Sequence, residues 1–238
     1  MKLDLLAFGA HPDDVELSSS GTILKHIHLG KKAGLIDLTR GELGTRGSAE
    51  IRDAEAKAAA EILGVSIREN LGFADGFFQN DRQHQLAVVS VIRKYQPEVI
   101  LCNAILDRHP DHGKAAKLVS DAVFLAGLPK VETTVDGKKQ DAWRTKAVYH
   151  YIQDRYIKPD FVIDISDFIE KKMDSIKAYA SQFFNGASTE PVTPISSKEF
   201  LEFLYSRAME MGRPIHAKYG EGFTVERFPG VNSFFDLT

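Results

Sequence analysis

The sequence predicts an α/β fold, specifically a Rossmann-like three-layer sandwich around a mostly parallel, doubly wound sheet. Short apolar segments with the composition of strands alternate with longer amphipathic segments that have a helical period. This alternation is typical of parallel strands joined by right-handed crossovers, which place helices on both faces of the sheet. Because no repeat, linker or low-complexity tract interrupts it, residues 1–238 are expected to form one domain.

The individual elements follow from these patterns in chain order. In the first half, strands are expected at 3–10, 33–39, 67–73 and 97–104, and helices at roughly 17–30, 50–64 and 82–95. In the second half, helices are expected at about 111–126, 167–179 and 198–212, and strands at 147–152 and 160–166. The segment 135–143 contains Asp-Gly and is typical of an exposed turn, whereas the segment 183–197 is typical of a surface loop.

Composition and charge argue against two classes of binding partner. The net charge of -3 provides no basic surface to attract nucleic acid or anionic lipid, so neither kind of partner is expected. The apolar start of the chain is too short for a secretory signal, and no later run reaches the length of a membrane-spanning helix. The single cysteine, Cys102, cannot form an internal disulfide and is expected to be a buried apolar residue in a cytoplasmic protein.

Four polar segments directly follow predicted strands. They are HPDD (11–14), TRGELGTRG (39–47), ADGF (74–77) and DRHPDHG (107–113). In an open α/β sheet, ligands bind outside the carboxyl ends of the strands. If the strands are parallel, the four segments open onto one edge and converge on one site.

Two of these segments, HPDD and HPDH, contain a candidate metal site. His11 and Asp14 are three residues apart, which places them on one face of a helical turn, and His112 can complete the set from the second segment. Two imidazoles and one carboxylate leave a position on Zn²⁺ open for water, whose pKa then falls to about 7. The same ligand types form the facial triad of non-haem iron oxygenases, so Fe²⁺ is also compatible with them.

The remaining polar residues of the two motifs suit metal-assisted hydrolysis. Asp13 can accept a proton from the attacking water, and His109 can stabilise an oxyanion or protonate a leaving amine. Asp111 lies between the two histidines of the second motif and can orient His109.

Helix capping is the simplest alternative interpretation. Asp13 or Asp14 can cap a helix that begins near Val15, and HPDH can begin a helix in the same way. The occurrence of two such motifs at one predicted sheet edge favours the metal site. A non-catalytic metal- or sugar-binding protein would carry the same ligands without a working base, and the presence of Asp13 and His109 argues against it. The sequence contains neither G-x-G-x-x-G after the first strand nor a P-loop motif.

These motifs resemble the LmbE/PIG-L family of zinc-dependent N-acetylglucosamine deacetylases. The resemblance rests on AHPDDVE followed by Gly21-Thr22, and on LTRGELGTRG, NLGFADG and HPDHG, and it continues into IDIS, SQF and YGEGF. It is closest to the bacillithiol-biosynthesis branch, whose enzymes remove acetate from N-acetylglucosaminyl-malate; another N-acetylglucosamine conjugate or oligosaccharide is the alternative substrate. It implies a homo-oligomer, a trimer or hexamer, in which the part from about residue 135 completes the substrate side.

The resemblance also implies roles for the residues of both motifs. It implies three zinc ligands, His11, Asp14 and His112, with Asp13 as the general base and His109, oriented by Asp111, as the electrostatic or general-acid partner.

Three further residues are expected to bind the substrate. The resemblance implies this role for Arg52 and Asp75, which would otherwise be interpreted as a solvated helix residue and a turn former. Arg108 suits the malate carboxylates, because a guanidinium group binds carboxylate bidentately. The sequence departs from the family at SSSGT (18–22), where many members have a glycine-rich GGT, and this departure leaves the expected metal ligands untouched.

Overall fold

The first half of the chain alternates strands with helices. In the computed structural model, which describes residues 1–237, its elements are β1 (Leu5–Gly9), α1 (Asp14–His28), β2 (Ala33–Thr39), α2 (Ala49–Leu63), β3 (Ile67–Phe73), α3 (Arg82–Tyr95), β4 (Val99–Cys102) and α4 (Pro110–Ala126). The expected ranges differ from these by at most three residues, the largest difference being the earlier start of α1.

The second half adds elements that the sequence predicted only in part. They are β5 (Thr134–Val135), β6 (Lys138–Lys139), β7 (Ala147–Tyr151), β8 (Phe161–Asp164), α5 (Ile169–Lys177), α6 (Lys198–Gly212) and β9 (Gly220–Val225). β5 and β6 form a hairpin whose turn residues, Asp136 and Gly137, both have positive φ, as the Asp-Gly signal predicts. β9 was not expected, because its sequence GEGFTV has two glycines and a glutamate. Among residues 1–237, no helix combines the length and apolar character that crossing a bilayer requires.

Seven of these strands form one sheet in the order β3-β2-β1-β4-β7-β9-β8. β9 pairs antiparallel with β7 and β8, whereas the other pairings are parallel. The chain runs outward from β1 to β3 and then returns to the other side of β1 with β4, so the order reverses between β1 and β4. The expected mostly parallel three-layer α/β fold is confirmed.

The helices cover both faces of the sheet. Strands β1 and β2 are buried along their whole length. Alternate residues of β1 enter different clusters: Leu6 and Phe8 pack with residues of α3 and α4, whereas Leu5 and Ala7 pack with residues of α1. This two-sided burial explains why the central strands have continuous apolar sequences.

A buried charge network joins β2 and β3 to the first turn of α1. Arg68 donates from Nε to Asp37 Oδ2 at 2.7 Å, and its Nη1 lies 2.5 Å from Glu16 Oε1. Replacing Arg68 by Met is expected to lower the free energy of unfolding by roughly 3 to 5 kcal/mol, because it leaves two buried carboxylates without their partner. Urea denaturation measures this loss. Lys117→Met, which breaks the exposed pair with Asp121, is the control and is expected to lose far less; equal losses would contradict the network's role.

Candidate active site

A cavity of about 370 Å³ lies at the carboxyl ends of β1 and β4. These neighbouring strands flank the point where the strand order reverses, which is where open α/β sheets bind ligands. The structure brings eight of the predicted site residues together in the cavity wall: His11, Asp13, Asp14, Arg52, Asp75, Arg108, His109 and His112. Asp111, the ninth, is fully buried behind them and lies 3.5 Å from His11 Nε2.

The Asp14 carboxylate lies between two of the histidines. Its Oδ1 is 3.1 Å from His112 Nε2, and its Oδ2 is 3.6 Å from His11 Nδ1. One ring nitrogen from each of His11, His109 and His112 also lies within 4.8 Å of the others. Two imidazoles and a carboxylate in this arrangement fit a divalent cation such as Zn²⁺ or Fe²⁺.

The opposite ring nitrogens of two histidines face carboxylates. His11 Nε2 is 3.0 Å from Asp75 Oδ1, and His112 Nδ1 is 2.5 Å from Asp107 Oδ2. Metal-ligating histidines usually donate their second N–H in this way, which fixes the tautomer and orients the ring. A different group, His11, Asp75 and Asp111, also brings three donor atoms within 4.8 Å, so it is a second candidate ligand set.

Asp75 is buried, and both of its carboxylate oxygens are engaged. Oδ1 faces His11, and Oδ2 accepts the backbone N–H of Leu43 at 2.9 Å. A sugar hydroxyl would therefore have to compete with these contacts. The geometry is that of a residue that holds His11 and the loop at Leu43 in place.

Asp13 adopts a backbone conformation that is rare for an aspartate. Its φ is 110°, and among the described residues its side chain caps no N–H of α1. The capping interpretation therefore does not hold for Asp13. Its Oδ2 instead accepts a hydrogen bond from Arg52 Nη2 at 2.9 Å. Burial raises the pKa of the Asp13 carboxyl to about 7, against the lowering effect of the Arg52 charge.

Arg52 is buried behind Asp13. Besides Asp13, its guanidinium group donates to the carbonyl oxygens of Pro12 and Gly41. Gly41 has a φ of 65°, and a Cβ there would lie 2.0 Å from Arg52 Nη1, so this contact requires glycine. The Nε of Arg52 is buried and has no hydrogen-bond partner among the described residues.

His109 is the N-cap of α4. Its Nδ1 accepts the backbone N–H of Asp111 at 3.2 Å, so in the neutral ring the proton is on Nε2. Burial lowers the pKa of His109, with the neighbouring His11 and His112 acting in the same direction. A neutral imidazole is therefore favoured at this position.

The contact between Asp111 and His109 differs from the expectation. The Asp111 carboxylate accepts the N–H of Gly76 at 2.8 Å and pairs with Lys114 at 2.6 Å, while only its backbone N–H reaches His109. The reason is that α4 begins at Pro110, which turns this backbone N–H toward the capping ring.

The outer wall of the cavity is mostly apolar. α6 contributes several of its residues: Phe200, Phe203, Leu204, Arg207, Ala208 and Met211. Arg108 lies at the rim with 56% of its side chain exposed, and its Nε donates to Asp154 Oδ2 at 2.8 Å. The guanidinium group expected to bind malate is thus already paired with a carboxylate.

Several residues of the site were not predicted from the sequence. Asp107, Asn103 and Gln153 surround the proposed metal ligands, and Lys172 pairs with Glu221 at 2.6 Å in the cavity wall. Asn103 directly follows β4, and Asp107 lies two residues before the HPDH motif; these positions were the available signals for them. No comparable signal marked Gln153 or Lys172.

The serine segment 18–20 does not interrupt α1. Ser20 donates its hydroxyl to the carbonyl of Glu16 at 2.6 Å, and Glu221 accepts the backbone N–H groups of Gly21 and Thr22 at 3.0 and 2.7 Å. A Cβ at Gly21 would lie 2.7 Å from Ile165 Cδ1, so the retained glycine allows close packing. The serine segment, which departs from the family pattern, therefore leaves α1 continuous beneath the site.

Comparisons with known proteins show extensive similarity. Residues 6–123 match the family profile described as PIG-L, GlcNAc-PI de-N-acetylase. The chain is 31% identical to the diacetylchitobiose deacetylase of Thermococcus kodakarensis, over 95% of this chain and 84% of that protein. It is 25% identical to the probable N-acetyl-alpha-D-glucosaminyl L-malate deacetylase 2 of Bacillus anthracis, over 73% of this chain and 78% of that protein. A solved structure of a conserved protein from Thermus thermophilus is 33% identical, with a TM-score of 0.85 and 98% of each chain covered.

Proposed function

Because the chain belongs to the PIG-L family of de-N-acetylases, we propose that it removes the acetyl group from an N-acetylglucosaminyl compound by metal-dependent hydrolysis. The observation that carries this proposal is the convergence of HPDD and HPDH in one cavity. Asp13 and His109 lie there beside the side chains that can bind the metal. Water adds to the acetamido carbonyl, the C–N bond breaks, and acetate and a free amine result.

The proposed ligands are His11, Asp14 and His112, with Zn²⁺ as the expected metal and Fe²⁺ as the alternative. A divalent cation held by them supplies a Lewis acid that polarises the carbonyl and makes water more acidic. This set is preferred to His11, Asp75 and Asp111, because the carboxylates of Asp75 and Asp111 both face the same nitrogen of His11, Nε2. They are better suited to orient the ring.

Asp13 and His109 have different roles in the proposed reaction: Asp13 transfers the proton, and His109 stabilises the negative charge that develops on oxygen. Asp13 accepts a proton from the attacking water and returns it to the departing amine, while Arg52 holds the carboxylate in position. His109 donates its Nε2 proton in a hydrogen bond to the oxygen on which negative charge develops. The backbone N–H of Asp111 keeps this tautomer in place, which favours the electrostatic role over the general-acid role.

The candidate substrates differ in the group that is linked to N-acetylglucosamine. The sequence resemblance and the Bacillus anthracis relative support N-acetylglucosaminyl-malate. The Thermococcus kodakarensis relative, which matches more of the chain, supports a disaccharide such as diacetylchitobiose. Phe203 offers an apolar face on which a second sugar ring can pack, whereas the Arg108 guanidinium group already pairs with Asp154 through Nε. We therefore place the disaccharide before the malate conjugate.

A substrate panel tests this proposal. The zinc-reconstituted protein is given diacetylchitobiose, N-acetylglucosaminyl-malate, the inositol glycoside and N-acetylglucosamine, and both acetate and free amine are measured. We expect equal amounts of both products, with the highest kcat/KM for diacetylchitobiose. A preference for the malate conjugate would reverse the order of substrates. Binding without acetate release would indicate a non-catalytic sugar-binding protein, and oxygen consumption would indicate an iron oxygenase.

Assembly and location remain predictions. We expect a cytoplasmic homo-oligomer, a trimer or hexamer, in which residues 1–238 act as one domain and the part from about residue 135 completes the substrate side. α6 and Glu221 in the cavity wall support the last expectation. Sedimentation velocity measures the oligomeric state.

A further inference from the structure

Two buried amide side chains, Asn103 and Gln153, surround the Asp14 carboxylate. Asn103 Nδ2 donates to Asp14 Oδ2 at 2.9 Å, and Gln153 Nε2 donates to Asp14 Oδ1 at 3.0 Å. Asn103 lies just beyond the end of β4 and Gln153 lies two residues beyond the end of β7, so the two come from neighbouring strands. The amides therefore link the carboxylate to the rigid edge of the sheet.

The hydrogen-bond network fixes which way each amide faces. Asn103 Oδ1 accepts the N–H of Ala10 at 2.9 Å, so its Nδ2 faces Asp14. Gln153 Oε1 accepts from Asn103 Nδ2 at 3.0 Å and from the N–H of Ala104 at 3.1 Å. Rotating either amide by 180° would oppose oxygen to oxygen or N–H to N–H, so both donors face the carboxylate.

The two carboxylate oxygens of Asp14 accept different numbers of hydrogen bonds. Oδ2 accepts both the backbone N–H of His11 at 3.0 Å and Asn103 Nδ2, which uses its two lone pairs. Oδ1 accepts one amide N–H, from Gln153, and faces His112 Nε2. The second lone pair of Oδ1 is therefore the one available to a cation.

We infer that Asn103 and Gln153 are positioning residues that make Asp14 a ligand through Oδ1 alone and thereby set the affinity for the metal. The inference rests on the proposed function, because that proposal assigns Asp14 to the metal. Neutral amides hold the carboxylate without adding a charge beside the cation. Comparable partners of metal ligands change metal affinity by about 10- to 100-fold when they are removed.

Zinc affinity of the full-length protein tests the inference without an activity assay. The dissociation constant is measured by competition with a fluorescent chelator for the wild type, Gln153→Leu and Gln153→Met. Gln182→Leu and Gln182→Met are the matched controls, because Gln182 is equally buried in the same cavity wall but bonds to Arg46 and Ser181. We expect about 10- to 100-fold weaker binding for the Gln153 variants and wild-type affinity for the controls.

The outcomes separate this inference from the proposed function. Wild-type affinity in Gln153→Met would overturn the inference while leaving the metal site intact. An equal loss of affinity in the Gln182 controls would also overturn it, since the effect would then come from general disturbance of the cavity. Failure of the wild type to bind zinc would overturn the proposed metal site and the inference together. Thermal unfolding in the presence of chelator checks that each variant is folded.

Discussion

Replacing Asp13 by Asn is expected to slow acetate release by about 10²- to 10⁴-fold while metal content stays equal to that of the wild type. The amide keeps the volume of the carboxylate but cannot accept a proton from water. Because Asp13 contacts Arg52 and is not among the proposed ligands, the metal should remain bound. Steady-state kinetics and metal analysis on the same sample measure both quantities.

The kinetic pattern identifies the cause of this loss. Removal of a proton acceptor that acts only in the transition state lowers kcat and kcat/KM together, whereas loss of substrate binding raises KM. An Asp13→Asn variant with wild-type kcat would show that Asp13 is not the base. A variant that also lost its metal would show that Asp13 belongs to the ligand set.

Replacing Asp14 or His112 by Ala is expected to abolish stoichiometric zinc binding. Both residues supply a proposed donor atom, and a site with two remaining protein ligands holds zinc far more weakly. Asp75→Asn, in contrast, should retain the metal with about 10- to 100-fold lower affinity, because Asp75 orients His11 and supplies no donor atom of the proposed set. Metal analysis after dialysis and chelator competition measure these effects.

The reverse result would identify the other ligand set. If Asp75→Asn lost the metal and Asp14→Ala retained it, the cation would be held by His11, Asp75 and Asp111. Asp75→Asn is informative here because the amide is nearly isosteric with the carboxylate. Its far-ultraviolet circular dichroism should match that of the wild type.

The fold was largely predictable because the buried central strands carry continuous apolar runs between amphipathic helices. β9 was missed since its burial depends on distant partners: Glu221 pairs with Lys172 and accepts N–H groups of Gly21 and Thr22, 200 and 199 residues away. A glutamate between two glycines gives no local indication of such partners. Its place in the sheet is set by tertiary contacts, which override weak strand propensity.

The site was predictable where a motif marked it. The HPDD and HPDH segments lie after adjacent strands, so parallel topology was sufficient to bring them together. The position of Asp107 beside HPDH was a signal, whereas nothing marked Gln153. The roles of both were not predictable, because they depend on which ring nitrogen or carboxylate oxygen faces them. For the same reason, the sequence did not show that Asp111 meets His109 through its backbone.

Acetate release as a function of bound metal tests the central claim most directly. The chelator-treated protein is titrated with Zn²⁺, and in parallel with Fe²⁺ under anaerobic conditions, and acetate and free amine from diacetylchitobiose and N-acetylglucosaminyl-malate are measured at each step. We predict negligible release without metal and a rate that rises in proportion to occupancy until the site is filled. Metal-independent release, or a filled site that releases acetate from neither compound, would contradict the assignment as a metal-dependent deacetylase of these N-acetylglucosaminyl compounds.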